Sequence, residues 1–257
     1  MSTVRIDNED LYYSLSGSTG APVLVFSNSL GTSQAMWSAQ ESLGRHFQLL
    51  RYDTRGHGQS MKPQGPYSLQ RLGKDVLRLL DHLEIDRAAF CGISMGGMIG
   101  QWLGVHGAGR FSHLILANTA ARIGTEQAWL ERAATVRGQG MRPVAEGAVA
   151  RWFTSGFAQA RPDTVAPVLD GLAQTDAEGY ASCCEALAYA DLRDEIHRIG
   201  VPTLVIAGLH DPVTTPTDAD FMASRIASSK RCDLPASHLS NIEAADSFNT
   251  ALLSFLK

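Results

Sequence analysis

The sequence predicts an α/β fold: a mostly parallel sheet with helices on both faces and a helical cap inserted late in the chain. Three observations predict it. Short apolar runs alternate with segments of helical periodicity, the pattern of βαβ crossovers. The runs "PVLVFS" (22–27), "RAAFCG" (87–92), "HLILANTA" (113–120) and "PTLVIAG" (202–208) are apolar almost throughout, as strands buried on both faces are. Between roughly 121 and 195 the alternation stops: that span carries Trp129, Trp152, Phe153, Phe157 and Tyr180 but no strand pattern.

In order along the chain, "VRID" and "LYYSLSG" flank a polar turn at Asn8 to Asp10, which predicts an antiparallel hairpin. "PVLVFS" ends at the loop "NSLGTS", and the strand "FQLLRYD" (47–53) ends at "TRGHGQS". In "SLQRLGKDVLRLLDHL" (68–83), Leu69, Leu72, Val76, Leu79, Leu80 and Leu83 recur at helical spacing. "RAAFCG" hands over to the helix "MGGMIGQWLGVHG", closed by Gly107. After the strand 113–120 comes the expected cap, then the strand at 202–208, a helix "PTDADFMASRIA" (216–227), a strand "KRCDLP" (230–235) and one closing helix "LSNIEAADSFNTALLSFLK". The expected division is a core of residues 1–120 and 196–257 with a cap of 121–195.

The bulk properties narrow the function. A chain of 257 residues is long enough for one α/β domain with an insertion. The formal net charge of −4 argues against a phosphate-tracking surface, so nucleic acid is not an expected partner. The opening "MSTVRIDNEDLYYS" lacks a basic and an apolar signal region, and no apolar run is long enough to span a bilayer. A cytoplasmic location is therefore expected, with Cys91, Cys183, Cys184 and Cys232 as free thiols.

The chemistry centres on Gly92-Ile93-Ser94-Met95-Gly96, which fits the G-x-S-x-G nucleophile elbow between a strand and a helix. So sharp a turn puts the serine at positive φ, demands glycine on either side and leaves Oγ near a helix N-terminus that favours negative charge. A serine hydroxyl needs a base, usually a histidine oriented by a carboxylate. In this architecture the order is serine, acid, histidine. Of eight histidines, only His210 and His238 follow late strands. His238 stands between the last strand and the last helix, where a base should project. Asp211, after the penultimate strand, is the expected acid, and its neighbour His210 a loop residue. The other usual acid position reads "ANTAAR" and holds no carboxylate.

The oxyanion is expected to meet the backbone N–H groups of Met95 and Leu30. Asn28 and Ser29 stand where many such loops begin His-Gly. They are candidate substrate contacts, with an Asx-turn as the alternative role for Asn28. Asp53, Arg55 and His57 are expected to pin their own loop by local hydrogen bonds. No H-E-x-x-H or nucleotide glycine fingerprint occurs, so neither metal nor organic cofactor is expected.

The elbow, "RYDTRGHGQS", "GLHDPVT" and "SHLSNIE" together resemble the α/β-hydrolase superfamily across essentially the whole chain. "FSNSLGTSQAMW", "RYDTRGHGQSMKPQGPYSLQRLGKDVLRLLD", "FCGISMGGMIGQWLG" and "LILANTAARIGT" look like the 3-oxoadipate enol-lactonases of bacterial aromatic degradation, in which Asn-Ser-Leu-Gly-Thr is the typical loop. The resemblance implies a small lactone substrate bearing a carboxylate, opened to 3-oxoadipate, with Ser94 as nucleophile, Asp211 as acid and His238 as base. Such an anion should meet a donor from the early cap. Arg122, Arg132, Arg137, Arg142 and Arg151 stand near Trp129 and Trp152, with Trp129, Arg132 and Trp152 as named candidates. The alternatives are a broad carboxylesterase, a C–C hydrolase on the same triad, or a silent fold acting as a ligand receptor. Turnover of lactone, aryl ester and vinylogous diketone separates the first two, and fluorophosphonate labelling of Ser94 excludes the third. Oligomeric state is not legible in the sequence.

Overall fold

The computed structural model describes residues 2–107 and 109–257. Strands β1 (Ser2–Ile6) and β2 (Glu9–Gly17) form the opening hairpin. Its turn is the pair Asp7-Asn8, both at positive φ, rather than Asn8 to Asp10. Two residues with φ above zero match the right-handed twist of the flanking strands, which fixes the shorter loop. Strand β3 (Val23–Ser27) is buried along its whole length, and β4 (Gln48–Tyr52) lies beside it.

Helix α1 (Leu69–His82) buries Leu69, Leu72, Val76, Leu79 and Leu80, and the Ser68 hydroxyl caps it by accepting the Arg71 N–H at 3.2 Å. Strand β5 (Ala88–Ile93), helix α2 (Met95–His106) and strand β6 (Phe111–Ala117) follow. Six α-helices and a 3₁₀ turn (Ile196–Arg198) then intervene before the next strand: α3 (Glu126–Gln139), α4 (Arg142–Glu146), α5 (Ala148–Trp152), α6 (Ser155–Ala160), α7 (Pro162–Ala173) and α8 (Ala177–Ala188). The chain ends with β7 (Thr203–Gly208), α9 (Pro216–Arg225), β8 (Ser229–Leu234), α10 (Ser240–Glu243) and α11 (Ala245–Leu256). The expected single closing helix is interrupted at Ala244, whose φ of −119° and ψ of 46° leave the helical region.

The eight strands form one sheet in the order β1-β2-β4-β3-β5-β6-β7-β8. β1, β2 and β4 pair antiparallel, and every later pairing is parallel. The carboxyl ends of β3, β5, β6, β7 and β8 therefore open on one rim, where open α/β sheets place their ligands. We propose that 121–195 is a cap on a core of 1–120 and 196–257, since α3 to α8 fall within it and pack chiefly on one another.

A segment of 3₁₀ turns at Gln34–Arg45 was not legible in advance. Its Trp37 packs between Phe26 of β3 and Phe248 of α11, with ring centroids 4.6 and 6.3 Å away. Among the described residues no helix is long and apolar enough to cross a membrane.

Candidate active site

Ser94 joins β5 to α2 at φ 57° and ψ −117°, a conformation that costs a non-glycine residue free energy. Its neighbours show why the turn needs glycine. A Cβ on Gly92 would lie 2.1 Å from the Gly96 carbonyl oxygen, and one on Gly96 would lie 2.2 Å from the Ser27 carbonyl oxygen. The elbow is anchored on both sides. The Ser94 N–H donates to the Ala117 carbonyl at 3.1 Å, and the Thr119 hydroxyl donates to the Ser94 carbonyl at 2.7 Å.

His238 and Asp211 arrive from the ends of β8 and β7. His238 Nδ1 lies 2.8 Å from Asp211 Oδ2, and both side chains are buried. The Asp211 carboxylate also accepts the Val213 N–H at 2.7 Å, the Thr214 N–H at 3.1 Å, the Thr214 hydroxyl at 2.7 Å and the Asn118 amide at 3.1 Å. Burial by itself raises this carboxyl, but the His238 charge and hydrogen bond, with the Thr214 and Asn118 donors, outweigh it and hold it below its ordinary value. An ionised Asp211 makes Nδ1–H the donor and leaves the His238 Nε2 lone pair as a base. His210, beside Asp211, is exposed.

Asn118 has no counterpart in the sequence reading. It ends β6 at φ 42°, is 1% exposed, and donates to the Ser237 carbonyl at 3.0 Å as well as to Asp211. Its own carbonyl accepts the Ser240 hydroxyl. One amide thus ties the acid loop, the base loop and the start of α10 together. The only advance signal is its position, at the strand end where other members of the architecture carry the acid.

Ser94 and His238 line one cavity of about 260 Å³, with Ser29 and Leu30 on the sheet side and Trp129, Arg132, Arg151, Trp152 and Tyr180 on the cap side. A larger open cleft of about 1050 Å³ holds none of the three candidate catalytic residues, so size does not identify the site here. The Leu30 and Met95 backbone N–H groups find no acceptor among the described residues, the condition that donors to an oxyanion must meet.

Asn28 corrects the sequence expectation. It is fully buried and outside the cavity wall. Its amide donates to the Tyr52 carbonyl at 2.8 Å, and its carbonyl accepts the Trp37 indole N–H at 2.9 Å. In place of an Asx-turn it braces β3 against β4 and the 34–45 segment. Ser29 does reach the cavity. Trp129 reaches it with its ring only, because the indole N–H donates to the Ile123 carbonyl at 2.5 Å. That leaves no Trp129 donor for a carboxylate.

The five cap arginines divide by their partners. Arg122 pairs with Asp191, Arg137 with Glu178 and Glu185, and Arg142 with Glu146. Arg132 and Arg151 line the cavity and have no carboxylate partner among the described residues. The Arg132 guanidinium lies 5.0 Å from the Trp129 ring centroid, and Arg151 donates to the Val144 carbonyl at 2.8 Å. Burial, then the nearby Arg132 charge, lower the Arg151 pKa. The cavity therefore carries positive charge that the chain itself does not neutralise.

The sequence and the fold have known relatives. The family profile described as alpha/beta hydrolase fold matches residues 22–245. 3-Oxoadipate enol-lactonase 2 of Acinetobacter baylyi is 50% identical over 99% of this chain and 96% of its own. 3-Oxoadipate enol-lactonase 1 of the same organism is 44% identical over 95% and 91%. The crystal structure of the enol-lactonase from Burkholderia xenovorans LB400 superposes with a TM-score of 0.97 at 45% identity, covering 99% of both chains. With the serine at a strained strand–helix turn, the parallel sheet behind it and a family profile spanning most of the sequence, the chain belongs to the α/β-hydrolase family.

Proposed function

We propose that this protein is a serine hydrolase that opens 3-oxoadipate enol-lactone to 3-oxoadipate through an acyl-enzyme, in the catabolism of aromatic compounds. The observation that carries the reading is the cavity in which Ser94 and His238 share walls with two unneutralised arginines. A neutral ester needs no such charge; a lactone with a carboxymethyl arm does. The kinship with the two Acinetobacter baylyi enol-lactonases supports the same substrate.

In this reading Ser94 Oγ attacks the lactone carbonyl while His238 Nε2 takes its proton and Asp211 stabilises the imidazolium. The Leu30 and Met95 amides bind the oxyanion. Collapse breaks the ring C–O bond and expels an enolate oxygen. Transfer to carbon of the proton that His238 took from Ser94 then gives the 3-oxo group, returns the imidazole to its neutral form and removes the nucleophile that would re-close the ring. Water, deprotonated by His238, attacks the acyl-enzyme carbonyl, and Ser94 leaves with the proton. Arg132 and Arg151 hold the substrate carboxylate by charge-assisted hydrogen bonds, with Trp129, Trp152 and Ser29 shaping the remaining wall. Four unpaired thiols fit a reducing compartment, and a cytoplasmic location goes with this reading.

The test is steady-state kinetics on the enol-lactone, generated in situ from muconolactone, beside a neutral aryl acetate. Preference for the lactone, lost in Ser94→Ala, is expected. Equal turnover of both, or preference for the acetate, would replace the lactonase reading with a general esterase.

A further inference from the structure

His57 is fully buried, lies outside the catalytic cavity and has no part in the proton transfers above. It touches the machinery at one remove. The Gly31 N–H donates to His57 Nε2 at 2.9 Å, and His57 Nδ1 lies 3.3 Å from the Arg55 carbonyl oxygen. An amide N–H only donates, so Nε2 must present a lone pair and the proton must sit on Nδ1, facing Arg55. Burial, with a smaller opposing effect of the Arg55 carbonyl, lowers the pKa to about 4, so the ring stays neutral. The groups facing it are the Tyr180 ring, 6.4 Å between centroids, and Cys183 Sγ, 4.0 Å from Nδ1. Both belong to α8, and Lys62 and Asp176 act on it by charge alone.

Gly31 directly follows Leu30, the proposed oxyanion donor, and the turn is closed by the Thr32 N–H donating to the Ser29 carbonyl at 3.1 Å. Gly31 sits at φ 81°, and a Cβ there would lie 2.4 Å from Leu172 and 3.1 Å from Tyr180. Its carbonyl receives a weaker contact, 3.4 Å, from the Thr175 hydroxyl. The residue next to the hole is thus gripped by the 53–60 loop on its N–H and by the cap on its Cα and carbonyl. Leu30 N–H and Gly31 N–H belong to adjacent peptide planes hinged at one Cα, so freeing the second loosens the aim of the first.

We propose that His57 is a positioning residue for the oxyanion hole: as the Nδ1–H tautomer it holds the Gly31 amide, and so aims the Leu30 N–H, while its ring bears against cap helix α8. The proposal rests on the serine-hydrolase reading of Ser94. His57→Leu removes the acceptor at similar volume, and His57→Gln keeps one.

With the enol-lactone as substrate, His57→Leu should lower kcat about 10- to 100-fold with KM within about threefold, since a misaimed donor is lost from the transition state rather than from substrate binding. His57→Gln should recover most of that loss. In ring-¹⁵N-histidine wild-type protein, the signals absent from His57→Gln should show an Nδ1–H tautomer that does not titrate between pH 7.5 and 5. A kcat for His57→Leu within about twofold of wild type, or a rise in KM alone, overturns the proposal, as does an Nε2–H tautomer. If His57→Leu does not fold, the Gln variant and the tautomer decide. Failure of wild-type protein to turn over any ester or lactone sinks the reading of Ser94 instead.

Discussion

The two walls of the cavity lined by Ser94 and His238 hold their polar groups in opposite ways. On the sheet side the groups that support the reacting atoms are already bonded. Asp211 accepts from five donors, and Asn118 binds three loops with one amide. Gly31 is gripped on its N–H, its Cα and its carbonyl. On the cap side Arg132 and Arg151 face the same space with a cation–π contact, a hydrogen bond to Tyr180 and one carbonyl contact, and without a carboxylate. Their neighbours Arg122, Arg137 and Arg142 all have one. The difference teaches a division of labour. The sheet wall is preorganised, so dipoles need not reorient as charge develops. The cap wall is left incomplete, and on the proposed function the substrate carboxylate supplies the missing partner.

The largest expected effect falls on the preorganised wall. Ser94→Ala should lower kcat on any substrate by about 10³-fold or more, and fluorophosphonate labelling should vanish with it. Persistent labelling would mean that another nucleophile serves the site. The next effect belongs to the cap wall and should depend on the substrate. Replacing Arg132 and Arg151 together by Gln should lower kcat/KM for the enol-lactone about 100-fold, because a hydrogen bond to a charged group is worth about 1.5–3 kcal/mol. A neutral aryl acetate should change by about twofold at most. Equal losses on both substrates would erase the contrast between the walls.

How legible each wall was follows from how it is built. Strand ends are fixed by topology, so the order serine, acid, histidine along the chain led to the residues that the structure gathers: Asp211 beside His238, and His238 on one cavity with Ser94. Asn118 was invisible because an asparagine after a strand carries no signature; its partners lie 93, 119 and 122 residues away. Asn28 was misplaced because position alone does not say which way a side chain turns. Its direction is set by Trp37 in a 3₁₀ segment whose buried side includes Gln40, a polar residue bonded to Asn241 and Asn249. That polar contribution hid the segment from any apolar periodicity. Of the cap arginines the sequence named Arg132 alone, and only their partners add Arg151 to it and set both apart from the three paired with carboxylates.

A smaller effect should separate Asn118 from the proposed triad. Asn118→Ala leaves Asp211 its four other donors, so kcat should fall about tenfold with KM unchanged, and stability should fall by about 1–3 kcal/mol as buried Ser237 and Ser240 partners are orphaned. Urea unfolding and kinetics on the same preparation check both. A loss of stability with full kcat would make Asn118 a brace of the fold alone.

The smallest effect is a difference in acid sensitivity between the walls. His57 is held neutral with its pKa lowered from 6.5 to about 4, so between these values the unfolded chain binds the extra proton. Its contribution is complete above pH 6.5 and declines as pH falls toward 4. At pH 5 the decline is on the order of 2 kcal/mol at most. In the cap, Glu178 is lowered from 4.5 to about 2 by its hydrogen bond to Arg137, so its contribution is present above 4.5 and declines only below that. Its exposure keeps it small. Between pH 7 and 5, protection relative to the intrinsic exchange rate should therefore fall first at the Gly31 amide, while amides of α8 keep theirs. His57→Gln, which cannot titrate, should flatten the wild-type fall in urea midpoint over the same range. If α8 opens first, the acid-sensitive contact lies in the cap, and the sheet wall is the more robust of the two.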